Sequence, residues 1–248
     1  MSNKNIQPQG TTPEDVPQKK QTSSIAMIST LGTVAMLSGL LVVLTWQLTL
    51  EPIRENQRIM IEKAIFQVLP EASQRRSYTL TEKGLEIGLQ KTGLQFYAVF
   101  NDTNKLQGVA AQSAAQGYAG MVRLLYGYDY LCECIRGFSI IQMSETPGLG
   151  DKILTDKSFL ASFNSLDARV NADNTALEND IVTVKHGSKV NGWEIDAISG
   201  ATITSKAVGK AISQSAKKLI PAIQKYLSQL KLPHTDSDSL SKQAKAKE

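Results

Sequence analysis

The spacing of apolar positions changes several times along this chain, and each change predicts an element. Residues 1–24 are polar, built from Asn, Gln, Thr, Pro and Lys, and bury too little to fold on their own. From Ile25 to Leu48 there is no charge, and Ile, Leu, Val, Met and Ala dominate. As a helix these 24 residues are about 36 Å long, enough to cross a bilayer with some tilt. Trp46 near the end of the run suits an interfacial aromatic. The run is too long for the apolar region of a signal peptide, and no small-x-small cleavage site follows it, so it reads as a retained anchor. After Glu51-Pro52-Ile53 the apolar positions Ile59, Ile61, Ile65, Val68 and Leu69 predict a connecting helix that stops at Pro70.

Beyond Pro70 the periodicity turns strand-like. Residues 71–95 are polar with scattered Gly and read as irregular chain or short strands. Phe96–Phe100 and Leu106–Ala111 predict two strands around the turn Asn101-Asp102-Thr103-Asn104. Met121–Leu125 and the region 130–143 predict further strands, and Phe159 with Phe163 a short helix. Asp180–Lys185 and Trp193–Ile195 are short strands. Val208, Ile212, Leu219 and Ile223, with Ala211 and Ala216 between them, give one apolar stripe to a final helix over about 205–231, ended by Pro233. No segment repeats. The expectation is an α+β fold: one membrane helix, then a mostly antiparallel sheet with helices packed on it. The divisions are a tail over 1–24, a span over 25–48, a connecting segment over 49–95, a soluble domain over 96–232 and a charged tail over 233–248.

Composition mainly excludes. The formal net charge is +4, from 27 basic and 23 acidic residues that are interspersed, so no nucleic-acid stripe is present. The two cysteines, Cys132 and Cys134, cannot make a disulfide framework. On a strand both would point to one face; they read as small apolar residues, a metal half-site or a redox pair, and a lone Cys-x-Cys falls short of a zinc site. His186, next to Gly187, reads as a surface turn residue, and His234 lies in the tail. Gly148-Leu149-Gly150-Asp151-Lys152 lacks the spacing of a nucleotide phosphate loop, and no Gly-x-Gly-x-x-Gly occurs.

Candidate chemistry concentrates in two places. Asp196-Ala197-Ile198-Ser199-Gly200-Ala201-Thr202-Ile203-Thr204-Ser205 puts small residues, which admit close approach, before hydroxyls at a helix start. The unpaired N–H groups and positive dipole of such a start favour a phosphate. Upstream, Glu145-Thr146-Pro147-Gly148-Leu149-Gly150 reads as a rigid loop able to press its backbone on a flat ligand. The pattern Asp-x-x-Ser-Gly-Ala-Thr over 196–202 resembles the flavinylation motif of proteins that carry FMN through a phosphoester to threonine. Glu145–Ile153 resembles the second hallmark of the same FMN-binding domain, in the form typical of the G subunit of the Rnf/Rsx electron-transport complexes. The C subunit of the sodium-pumping NADH:quinone reductase shares the first six of those residues but usually diverges after them.

The resemblance covers roughly residues 25–232. It implies a covalent FMN on Thr202, with Ser199, Gly200, Ala201, Thr204 and Ser205 around its phosphate. It places Glu145, Thr146, Leu149 and Gly150 along the flavin, and Tyr118, in a Gly-Tyr-Gly-Gly-like segment, beside the ring. Asp196 would serve the flavin transferase that loads the site. Ala197 stands where glycine is common, and Tyr126–Phe138, with its Cys-Glu-Cys, departs from the family's usual strand–turn–strand. The implied role is a redox subunit, not a complete enzyme, working with other membrane subunits of an ion-translocating complex in the bacterial inner membrane. Lys19 and Lys20 before the span and Arg54, Arg58 and Lys63 after it do not orient the chain; the resemblance puts the large domain in the periplasm. The alternatives are the C subunit of the sodium pump, a stand-alone anchored flavoprotein reductase, and a non-redox anchored binding protein.

Overall fold

The computed structural model describes residues 24–90 and 92–232; the polar tails expected over 1–24 and 233–248 lie outside them, Ser24 apart. The chain divides into two units, one ending at Arg54 and one starting at Glu55. Helix α1, Ser24–Val68, continues from the first into the second. In the first unit it carries the apolar run long enough to cross a membrane, and none of that stretch is buried by protein. The anchor and the connecting helix expected after Pro52 are thus one helix, with Pro52 inside it.

The second unit is built on a seven-stranded sheet. Its strands are β1 (Gln74–Thr81), β2 (Gly84–Ile87), β3 (Leu94–Phe100), β4 (Leu106–Gln116), β5 (Met121–Asp129), β6 (Cys134–Gln142) and β7 (Leu166–Asp167). All neighbours are antiparallel, in the order β2-β1-β3-β4-β5-β6-β7. A short helix α2 (Lys157–Ala161) follows β6, and a parallel pair, β8 (Val182–Val184) and β9 (Glu194–Asp196), precedes the long helix α3 (Thr202–Lys231).

Both sheet faces are covered, so the central strands are apolar on alternate and on successive positions alike. Phe96, Ala98 and Phe100 of β3, with Val122, Leu124, Tyr126 and Tyr128 of β5, face the core shared with α3. Tyr97, Val99, Ala110 and Leu125 face the other way, onto Ala64, Ile65, Val68 and Leu69 at the end of α1. The predicted stripe of α3 is what it buries: Val208, Ala211, Ile212, Ala216, Leu219 and Ile223. Two polar links join β5 to α3 across this core, Tyr126 Oη to Ser215 Oγ at 2.9 Å and Gln224 Nε2 donating to Tyr128 Oη at 3.0 Å. Burial pushes the Tyr126 phenol up, so it remains a neutral hydrogen-bonding partner.

Of the irregular chain or short strands expected over residues 71–95, the short strands form, as the edge hairpin β1–β2. Two expectations change. The final helix begins at Thr202, before position 205. The segment 126–138 does form a strand–turn–strand, β5 and β6 around a turn at 130–133. Cys132 therefore sits in the turn and only Cys134 on a strand, and the two form a disulfide. No group of three or more metal-binding side chains gathers among the described residues.

Two glycines set how closely helices approach. A Cβ at Gly127 of β5 would meet Val68 of α1 through its side chain and its carbonyl oxygen. A Cβ at Gly209 of α3 would collide with Thr183 Oγ1 of β8. Backbone at Gly127 cannot yield as a side-chain tip would, so Gly127→Ala is expected to lower stability by about 1–3 kcal/mol, typical of overpacking. Thermal unfolding of the full chain in detergent, compared with a control such as Gly137→Ala, checks this; nothing lies within 4 Å of a Cβ at Gly137.

Candidate functional site

Three segments meet beside the start of α3. The first is the β4–β5 hairpin tip, Gly117-Tyr118-Ala119-Gly120, closed by Gly117 N–H donating to Gly120 O at 2.8 Å. The second is the loop after β6, where Leu149 N–H and Gly150 N–H both donate to Thr146 O, at 3.2 and 3.1 Å. Gly148 has φ 78° there, a left-handed conformation that suits glycine. The third is the turn into α3, where Gly200 has φ 80° and Ala201 N–H donates to Ile198 O at 3.1 Å.

Glu145 ties the three together. Its Oε2 accepts the Thr204 hydroxyl at 2.8 Å, and its Oε1 accepts Ala119 N–H at 3.3 Å. A Cβ at Gly117 or at Gly150 would strike this carboxylate, so both glycines wall its slot. By sequence the loop glycines promise close approach to a ligand; at 117 and 150 the group approached is the protein's own carboxylate.

The resulting cleft has a volume of about 300 Å³. Tyr118, Glu145, Thr146, Leu149, Gly150, Gly200, Ala201, Thr202 and Thr204 line it, all expected from sequence. Ile203, which the motifs do not single out, lines it too. Its position between the two threonines in the first turn of α3 is the signal that could have found it. Tyr118 is 71% exposed, Ile203 54% and Leu149 51%, so the rim is an open apolar surface.

The remaining expected residues lie elsewhere. Ser199 is exposed on the turn and does not line the cleft. Ser205 is fully buried: its hydroxyl donates to Ala201 O at 2.9 Å and accepts Ile198 N–H at 3.1 Å, holding the turn against the helix. Asp196, at the end of β9, accepts Gly187 N–H through Oδ1 at 2.7 Å, and its other oxygen lies 3.6 Å from His186 Nδ1. His186 is exposed and its Nδ1 sits 3.0 Å from Ala197 O, in keeping with a turn residue.

The two threonines of the first turn differ sharply. Thr202 is exposed, and its hydroxyl has only a long contact, 3.4 Å, to Ile198 O. Thr204 is 2% exposed and engaged by Glu145. At the N-cap, Ala201 has no side chain able to satisfy the first helical N–H groups, and no cap bond is made. An open apolar cleft with an uncapped helix start at one end fits a planar ligand bearing a phosphate.

Comparison with known proteins agrees. Residues 117–217 match the FMN-binding domain family. The G subunit of the ion-translocating oxidoreductase complex of Shewanella amazonensis is 30% identical over 191 residues, which cover 75% of this chain and 83% of that protein. This chain belongs to the G-subunit family of the ion-translocating oxidoreductase complexes. The G subunit of Methanosarcina acetivorans is 28% identical over 189 residues, 75% of this chain and 89% of that one. In the G subunit of Pasteurella multocida identity rises to 41%, over 108 residues that cover 43% of this chain and 48% of that protein. The FMN-binding match in this chain begins at the Gly117 hairpin tip and ends inside α3, so all three cleft segments fall within it.

Removing the Glu145 carboxylate leaves the Thr204 hydroxyl and Ala119 N–H without their acceptor. Glu145→Ala is expected to cost about 1–3 kcal/mol. In a cycle with Thr204→Val the pair should couple by about 1 kcal/mol, because they share one bond. Denaturant midpoints of the single and double variants measure both.

Proposed function

We propose that this chain is a membrane-anchored electron-transfer subunit that carries FMN esterified through its phosphate to Thr202. The observation that carries the reading is the contrast within the first turn of α3. Thr202 Oγ1 stands open at an uncapped helix start, while Thr204 Oγ1 is buried and bonded to Glu145. Esterification at Thr202 would bring the phosphate to the free N–H groups of that turn, where the helix dipole favours it. A flavin transferase would form the bond between Thr202 Oγ1 and the phosphorus of an activated FMN donor: the hydroxyl gives up its proton, and the bond from that phosphorus to the donor's leaving group breaks, the leaving group departing with the displaced oxygen. Gly200, without a Cβ, and exposed Ser199 leave the approach to Thr202 unobstructed.

The chain's other residues then divide the work. Tyr118, Leu149 and Ile203 offer apolar surface to the ring, and Thr146 and Gly150 bound it from the loop side. Glu145 fixes the three segments and keeps Thr204 from competing. Ser205 and Asp196 act on the turn itself, Ser205 by holding it to the helix and Asp196 by anchoring the strand end before it. The flavin supplies the electron acceptance and release. A cleft of about 300 Å³ is at the small end of ligand sites, and a covalent tether retains a group that such a site encloses only in part. Apart from Glu145, whose two oxygens are engaged, and the exposed Tyr118 phenol, the cleft is lined by threonine hydroxyls, small residues and apolar side chains. That favours a carrier between redox partners over a stand-alone reductase.

The partners are the other membrane subunits of an ion-translocating oxidoreductase complex, as the names of its relatives suggest. Anchoring by α1 would hold the carrier at high effective concentration near them. The domain is placed on the periplasmic side of the inner membrane.

The test is the intact mass of the full chain co-expressed with a flavin transferase. Wild type is expected to gain one FMN less water, Thr202→Ala to gain nothing, and Thr204→Ala to load. Asp196→Ala is expected to load more slowly through disorder of the turn. An unmodified wild type beside a control protein that is flavinylated would refute the covalent reading.

A further inference from the structure

The Cys132–Cys134 pair takes no part in the flavin site. The cleft lies at the start of β5 and the pair beyond its end, roughly 25 Å away along the strand. Nor does the pair serve as a staple. A bridge between residues two apart in sequence removes very little freedom from the unfolded chain, since the stabilisation grows with the length of the closed loop. The turn it spans is already held by other bonds. Asp129 Oδ1 accepts Leu131 N–H at 2.8 Å and Oδ2 accepts Arg136 Nε at 3.0 Å. Ala168 N–H donates to Glu133 O at 3.0 Å, and Gln224 Nε2 reaches Glu133 Oε1 at 3.3 Å from α3.

The two cysteines differ in access. Cys132 is exposed at the tip of the turn, next to Leu131, which is 68% exposed. Cys134 is 3% exposed, at the start of β6 beside Leu166 and Asp167 of β7. Glu133 between them has φ 50°, in the left-handed region, which turns the chain back on itself at this point. An incoming thiolate therefore meets one sulfur and not the other.

We infer that Cys132–Cys134 is a thiol–disulfide exchange site, whose co-reactant is a dithiol, of a protein or a small molecule. A thiolate of the dithiol attacks Cys132 Sγ, forming a mixed disulfide and releasing Cys134 as a thiolate that takes a proton. The second thiol of the co-reactant then attacks its own sulfur in the mixed disulfide and frees Cys132. Two electrons and two protons pass to the pair, and the dithiol becomes a disulfide. Reduced, Cys134 is a small apolar residue in a buried place, which such a site accommodates, while Cys132 remains an exposed thiol. The turn keeps the bonds of Asp129 and Glu133 in both states, so the exchange proceeds on the folded domain. This inference is independent of the flavin reading and stands or falls without it.

The experiment uses the full chain in detergent. The wild type is exposed to graded dithiothreitol redox buffers, quenched in acid, alkylated and weighed, with circular dichroism recorded in parallel. The expected result is reversible uptake of two alkyl groups with an unchanged dichroism spectrum. Cys134→Ser and Cys132→Ser are then treated with oxidised glutathione. Cys132, the thiol left in Cys134→Ser, should form the glutathione adduct at least about tenfold faster than Cys134 does in Cys132→Ser, following access. A pair that is reduced only when the domain unfolds would overturn the inference. So would two thiols that fail to close in oxidising buffer, or equal rates in the two variants.

Discussion

The site depends on one carboxylate in a slot made by the absence of side chains. Glu145 reaches between Gly117 and Gly150, each bare on the side that faces it, and ends on the Thr204 hydroxyl and Ala119 N–H. A carboxylate offers several lone-pair directions from two oxygens, so one side chain can satisfy donors arriving from two different segments. Here those donors come from a hairpin tip and a helix start, and the carboxylate itself from a third segment. Three pieces of chain far apart in sequence thus acquire a fixed relation at the point where the cleft opens. The glycines and the glutamate are one device.

The sheet supplies the rigid frame for that device. Its central strands are buried on both sides, by α3 on one and by the end of α1 on the other, and the close approaches at Gly127 and Gly209 leave little room for sliding. The cleft is formed where β4 turns into β5, where β6 ends and where α3 begins. Connections at the rim of a covered sheet are free to carry function because the core does not need their side chains. The same rule applies at the opposite end of the β5 strand, where the turn into β6 carries the cysteine pair.

Much of this was legible in the sequence because its signals are local. The uncharged run Ile25–Leu48 is a local feature that a single helix follows, and the apolar stripe of α3 is a periodic one that packing follows. The two motifs likewise named nearly all of the cleft before any geometry was known. What was not legible depended on partners distant in the chain. The edge hairpin β1–β2 is polar because its side chains are only partly covered, so residues 71–95 lacked a strong strand pattern. Ser205 and Asp196 carry the right chemistry for a phosphate or a metal, yet both bind neighbouring backbone, and only the local fold decides that. The turn at 130–133 places Glu133 in left-handed conformation between the paired cysteines. That Glu133 would adopt it cannot be read from glutamate itself.

Thr202 and Thr204 are separated by a single isoleucine, and in an extended chain nothing distinguishes their hydroxyls. The fold makes them unlike, by exposing one and closing the other under Glu145. Selection between them is therefore a property of the assembled domain and not of the peptide. On the proposed chemistry this imposes an order on biogenesis: the domain must reach its native shape first, and cofactor loading comes afterwards as a form of inspection. A chain that has misfolded at this corner would remain colourless, and so would be kept out of the electron path.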